Sequence, residues 1–151
     1  MSMKKKDKVI YWIATGLVSG VMLYSAVNFN LKNPLGPMKG AFKHLGYPDY
    51  FRIELTTAKV LGVLALLWPG LPKKVREFAY AGFAITLVSA AIAHFSVGDA
   101  WYFAADPLFF LAALVTSYVY FEKRNRLEAV PAGSVDRAGV RPSAALARQS
   151  A

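Results

Sequence analysis

The chain has 151 residues, 56% of them hydrophobic and 18% charged, with a formal net charge of +9. That apolar fraction is high and that charge low for a soluble domain. The absence of cysteine excludes dithiol chemistry and thiolate metal sites. In a soluble chain the basic balance would point to nucleic acid, but here the Lys and Arg residues alternate with long apolar runs, so no nucleic-acid partner is expected.

Residues 1–8, "MSMKKKDK", form a basic N-terminus. The first apolar run, Val9 to Phe29, is too long for a signal-peptide core and has no small-x-small cleavage site after it, so it reads as a retained helix. Gly16 and Gly20 have the small-xxx-small spacing that lets membrane helices approach closely. Tyr11, Trp12 and Tyr24 lie near its ends, where aromatic belts belong. The segment that follows, "GPMKGAFKHLG", has Pro37 where a helix tolerates proline and Gly46 where a helix end favours glycine. Met38, Phe42 and Leu45 recur at helical spacing, which predicts a short amphipathic surface helix.

A second run, Phe51 to Leu71, ends at "WPGLP", where Pro69 and Pro72 stop the helix. A basic turn, "KKVRE", leads to a third run, Phe78 to Val97, rich in Ala and Gly. A fourth runs from Ala100 to Phe121, with Asp99 as a candidate N-cap and Pro107 in its second turn. A start at Asp106–Pro107 would leave too short a crossing, so the earlier start is favoured. Each run is about 20 residues, enough for a hydrocarbon core of about 30 Å, and backbone in lipid must be helical. The fold expected is therefore all-α: a four-helix transmembrane bundle over residues 9–122 with the short amphipathic helix in its first outer loop. Residues 123–151, rich in Ala, Ser, Arg, Pro and Gly, read as a disordered basic tail.

Charge sets the expected orientation. Thirteen of the 18 Lys and Arg residues fall before the first run, between the second and third, or after the fourth. The positive-inside rule then places both termini in the cytoplasm of a multi-pass protein of the cell (inner) membrane. The lipid bilayer is the first partner implied. A membrane protein partner or a homo-oligomer is the second, through the Gly16/Gly20 face; Gly16, Gly20 and Gly62 are the candidate helix-packing residues.

Polar residues inside apolar runs are costly and point to function. Glu54 and Lys59 lie in the second run, His94 in the third, and Asp106 in the fourth; Asp99 joins the last two. The topology brings all of these to the outer half of the membrane. At 100° per residue Glu54 and Lys59 are offset by 140°, so each needs a partner from another helix. On the second run the sector with Ala58 and Gly62 is polar and small, whereas Val60, Leu64 and Leu67 face the other way. Thr86, Ala90, His94 and Gly98 share one face of the third run. Glu54, Lys59, His94, Asp106 and Asp99 are thus candidates for binding a polar headgroup or relaying a proton. The two histidines, His44 and His94, do not make a haem pair, and no metal motif is present, so neither a metal nor haem is expected. The cofactor is open, a quinone or a lipid suiting the polar set.

The stretches "HLGYPDYF", "ELTTAKVLGVLALLWPGLP" and "REFAYAGFAITLVSAAIAHFSVGD" resemble the DoxX-like family across about residues 10 to 122. The resemblance implies a four-helix membrane protein. DoxX-type proteins take their name from a subunit of an archaeal quinol oxidase and thiosulfate:quinone oxidoreductase system. By resemblance the chain is expected to be a small subunit or accessory of a redox or quinone-linked membrane system. The alternative is a structural or assembly protein whose buried charges fix helix packing. The family supplies no catalytic residue to carry over, and whether the chain is an enzyme stays open.

Overall fold

The computed structural model describes residues 3–31 and 40–129. All regular structure among them is helical: α1 (Lys5–Asn28), α2 (Ala41–His44), α3 (Asp49–Leu67), α4 (Lys73–Ser96) and α5 (Trp101–Ala129). By length and apolarity, α1, α4 and α5 can cross a membrane. The 19-residue α3 carries Asp49, Arg52, Glu54 and Lys59 spread through its first eleven residues, which leaves it a shorter apolar stretch than the other three long helices.

The four long helices close into a ring. α1 packs on α3 and α5, and α4 packs on the same two. Tyr11, Val18, Met22, Val63, Leu66, Tyr80, Phe83, Leu87, Leu114 and Phe121 fill the centre. Large apolar side chains also cover the outside: Phe78 is 80% exposed and Trp101 75%. A soluble surface seldom carries so much exposed apolar area, whereas lipid solvates it. In lipid, close packing and interhelical hydrogen bonds must hold the helices together. One such link is central and dry. Thr15 and Ser117 hydroxyls are 2.7 Å apart, and Tyr80 Oη lies 2.8 Å from the same Ser117 Oγ. Three hydroxyls therefore join α1, α4 and α5.

α2 is a single turn, shorter than the amphipathic helix predicted; the part of that prediction carried by Pro37, Met38 and Lys39 lies outside the described residues. Phe42 anchors it, meeting Phe29 edge-on at 4.8 Å between ring centroids. Asn30 and Arg52 stitch the end of α1 to α3: Asn30 donates to Thr56 Oγ1 (2.8 Å), and Arg52 donates to the Phe29 carbonyl (3.2 Å). α5 starts at Trp101 and includes Pro107, matching the earlier of the two starts. It also runs on to Ala129. Residues 123–129, expected to be disordered tail, are instead a helical extension, and Lys123 on it reaches Asp7 of α1 at 2.7 Å. Residues 130–151 lie outside the described residues.

Candidate functional site

At one end of the ring α1 and α4 finish while α3 and α5 begin. Backbone geometry there arranges the polar groups. α4 ends in Gly98, whose φ of +77° is a left-handed value that only glycine adopts freely. Gly98 N–H donates to the Phe95 carbonyl (3.2 Å) and Asp99 N–H to the His94 carbonyl (3.1 Å). This is the Schellman closure. It folds Asp99 back onto the last turn, leaving its Oδ2 2.6 Å from His94 Nδ1. The same closure ends α2. Gly46 has φ +76°, and its N–H and that of Tyr47 donate to the Lys43 and Phe42 carbonyls. His44, in that turn, places Nε2 2.7 Å from Asp99 Oδ1.

Asp99 is thus shared by two imidazoles, one on each carboxylate oxygen. The hydrogen bond from His94, then that from His44, hold its carboxyl below the usual carboxylate range. This corrects the expectation that Asp99 caps the fourth long helix: its side chain turns back to the histidines, because the glycine before it reverses the chain. The His94 ring also stacks on Phe103 of α5, with centroids 5.8 Å apart.

Lys59 lies on the inner face of α3 and is 7% exposed. Its Nζ donates to Ser25 Oγ of α1 (2.9 Å), and Ser25 Oγ donates in turn to the Met22 carbonyl (3.0 Å). The ammonium also stands 4.9 Å from the centre of the Phe29 ring. Among the described residues no carboxylate oxygen lies within 4.0 Å of it. A hydroxyl and a ring face are weak compensation for a buried cation.

Lys59, His44, His94, Asp99 and Asp106 all line one cavity of about 770 Å³. Much of the remaining wall is apolar: Met22, Leu87, Ala90, Phe103 and Phe110 contribute to it. Thr86 and Ala90 join His94 on the wall, as one face of α4. Asp106 is exposed at the cavity. Within α5, Pro107 cannot donate a backbone hydrogen bond to the Phe103 carbonyl one turn earlier.

Glu54 does not join this group. It is exposed and absent from the cavity wall. The buried residues of α3 are Lys59, Val63, Ala65 and Leu66. Lys59, Val63 and Leu66 cluster around the direction of Lys59, and the 140° offset carries Glu54 off that sector. Val60, Leu64 and Leu67 are exposed on the far side of α3. His44 is the residue the sequence reading placed on a surface helix with no role. It lies 55 positions from Asp99, and no spacing rule connects them. The one legible signal was Gly98 directly before Asp99, a glycine in helix-ending position.

Of the three packing glycines, Gly62 is closely approached. A Cβ there would stand 2.6 Å from the Phe83 ring of α4. Gly16 and Gly20 face outward, and a Cβ on either meets nothing within 4 Å. Among the described residues no group of three or more His, Asp or Glu side chains could hold a metal ion.

The family model of the DoxX-like family matches residues 13–117. That match runs from within α1 into the second half of α5 and includes every polar residue of the cavity. No curated protein and no solved structure matches the chain.

Proposed function

We propose, on the premise that the chain belongs to the DoxX-like family, that it is a small membrane subunit or accessory of a redox or quinone-linked system. Its cavity holds a quinone or a similar lipid by the oxygens of its head. α3 crosses the bilayer with the other three long helices, and the chain is a four-helix bundle of the cell (inner) membrane. Both termini are cytoplasmic, and the cavity lies in the outer half. The asymmetry of the Lys and Arg residues supports that orientation.

The observation that carries this reading is Lys59, a buried ammonium without a counter-charge among the described residues, on the wall of a cavity of about 770 Å³. That volume is within the ordinary range for ligand pockets, about 300–1,000 Å³. A quinone head offers flat carbonyl acceptors. Lys59 has N–H groups to give beyond its bond to Ser25, and the aromatic rings of Phe103 and Phe110 suit a flat head. His94 keeps Nε2 for a second contact, since Asp99 occupies Nδ1.

Native mass spectrometry of the full chain, extracted gently from its own membrane, tests the reading. A bound mass matching a quinone or lipid is expected. Lys59→Met should lower its retention about tenfold to a hundredfold, the worth of a charge-assisted hydrogen bond. Glu54→Gln should leave it unchanged. Retention by Lys59→Met equal to wild type would sink the assignment of the cavity.

A second reading is favoured by the outward Gly16/Gly20 stripe: a structural or assembly protein that joins a partner helix there. Gly16→Leu would then shrink the complex on a native gel while the isolated chain stays folded. An unchanged complex counts against it.

A further inference from the structure

We propose that His94, Asp99 and His44 form a proton path between the cavity and water. This extends the ligand-binding reading above, since it needs a cavity whose contents exchange protons, but its geometry stands independently of which molecule binds. The three groups form a continuous chain of short contacts: His94 Nδ1 to Asp99 Oδ2 at 2.6 Å and Asp99 Oδ1 to His44 Nε2 at 2.7 Å. All three groups line the cavity, and His94 is the more enclosed of the two imidazoles, its side chain 21% exposed. The other end is open, the His44 side chain being 57% exposed. The middle group is the most enclosed, at 15%.

The three side chains come from three places that need not have met: the end of α4, the turn after it, and α2. Two left-handed glycines, Gly46 and Gly98, set them in line. A structural pairing would need only one imidazole. The second one converts a helix-end contact into a connection with solvent, and imidazole and carboxylate are the side chains best suited to passing a proton near neutral pH.

The passage balances. His94 Nε2 takes a proton from a hydroxyl in the cavity, breaking that O–H bond and forming N–H. Its Nδ1–H proton moves to Asp99 Oδ2, and Asp99 becomes a neutral acid. His44, which donates its Nε2–H to Asp99 at rest, first trades that proton through water for one on Nδ1; a half-turn of the carboxyl group then presents the Asp99 proton to the bare Nε2, and the Nδ1 proton leaves to water. His44 is then back in its resting tautomer, and ring reorientation resets His94. The reverse order brings a proton in. Lys59 of α3 and Asp106 of α5 are the other charged groups on the cavity wall.

The test uses the full chain, labelled with ¹⁵N-histidine, in lipid nanodiscs. Only two histidines exist, so His44→Gln assigns both signals. Gln can still donate to Asp99 but cannot carry a proton, so it preserves a purely structural contact. The proposal expects the His94 ring proton to exchange with water at least about tenfold more slowly in His44→Gln, and in Asp99→Asn. Thermal unfolding of His44→Gln should stay near wild type. Equal exchange rates in wild type and both variants overturn the path. Adding decylubiquinone separates this from the binding reading. Slowed exchange without any decylubiquinone effect on the His94 signal keeps the path and removes the quinone.

Discussion

The two ends of the helix ring handle charge in opposite ways. At the end where α3 finishes and α4 begins, charges close on one another. Asp7 of α1 meets Lys123 of α5 at 2.7 Å, and Lys73 of α4 meets Glu122 of α5 at 2.8 Å. Arg76 of α4 donates to the Trp68 carbonyl at the end of α3 (2.6 Å), and Arg124 lies 5.1 Å from the Tyr11 ring centre. Contacts of this kind tie the four long helices together. At the cavity end the main cation, Lys59, has a hydroxyl and a ring for company, and the acids are turned to histidines or left exposed. In the first arrangement acids and bases of neighbouring helices meet directly, which is a structural role. The second leaves hydrogen-bonding capacity directed into a cavity, as a binding site requires. A count of charged residues per helix would not separate them; the pairing does.

The sharpest way to break this contrast is one substitution made at both ends. Lys59→Met removes a buried charge that has no counter-charge among the described residues and should raise the melting temperature, because its desolvation is not repaid. Lys123→Met leaves the buried Asp7 without its partner and should lower the melting temperature. Opposite signs in thermal unfolding in detergent uphold the contrast, and equal signs abolish it.

Between the two ends, Ser117 is the shared partner of Thr15 and Tyr80. Ser117→Ala removes the partner that both hydroxyls share in a buried core and should cost about 1–2 kcal/mol, measured by unfolding in mixed detergent. A variant as stable as wild type would mean that ring closure relies on packing alone.

The smallest effect is confined to acid. Because the folded-state carboxyl of Asp99 titrates below its ordinary value, its contribution is complete above about pH 4 and is lost as pH falls through the folded value. The stability difference between wild type and Asp99→Asn should therefore close as pH falls below about pH 4. A difference that persists at lower pH would place the contribution of Asp99 elsewhere than in its charge.

What the sequence determined by itself follows from periodicity and solvent. Four apolar runs, proline stops and the segregation of Lys and Arg are enough to predict long helices in a bilayer, because lipid permits little else. It also picked out Lys59 and His94, since a polar residue within an apolar run is visible without coordinates. Tertiary structure decided three further things. It placed Glu54 outside, because the rotation of α3 about its axis is set by which face α1 and α4 accept, and local sequence does not encode that angle. It brought His44 to Asp99 across 55 residues, through two glycine turns whose combined direction is a property of the whole fold. It turned Gly16 and Gly20 outward while Phe83 packs onto Gly62, because small residues of one spacing serve any close approach and only the packed neighbours select which.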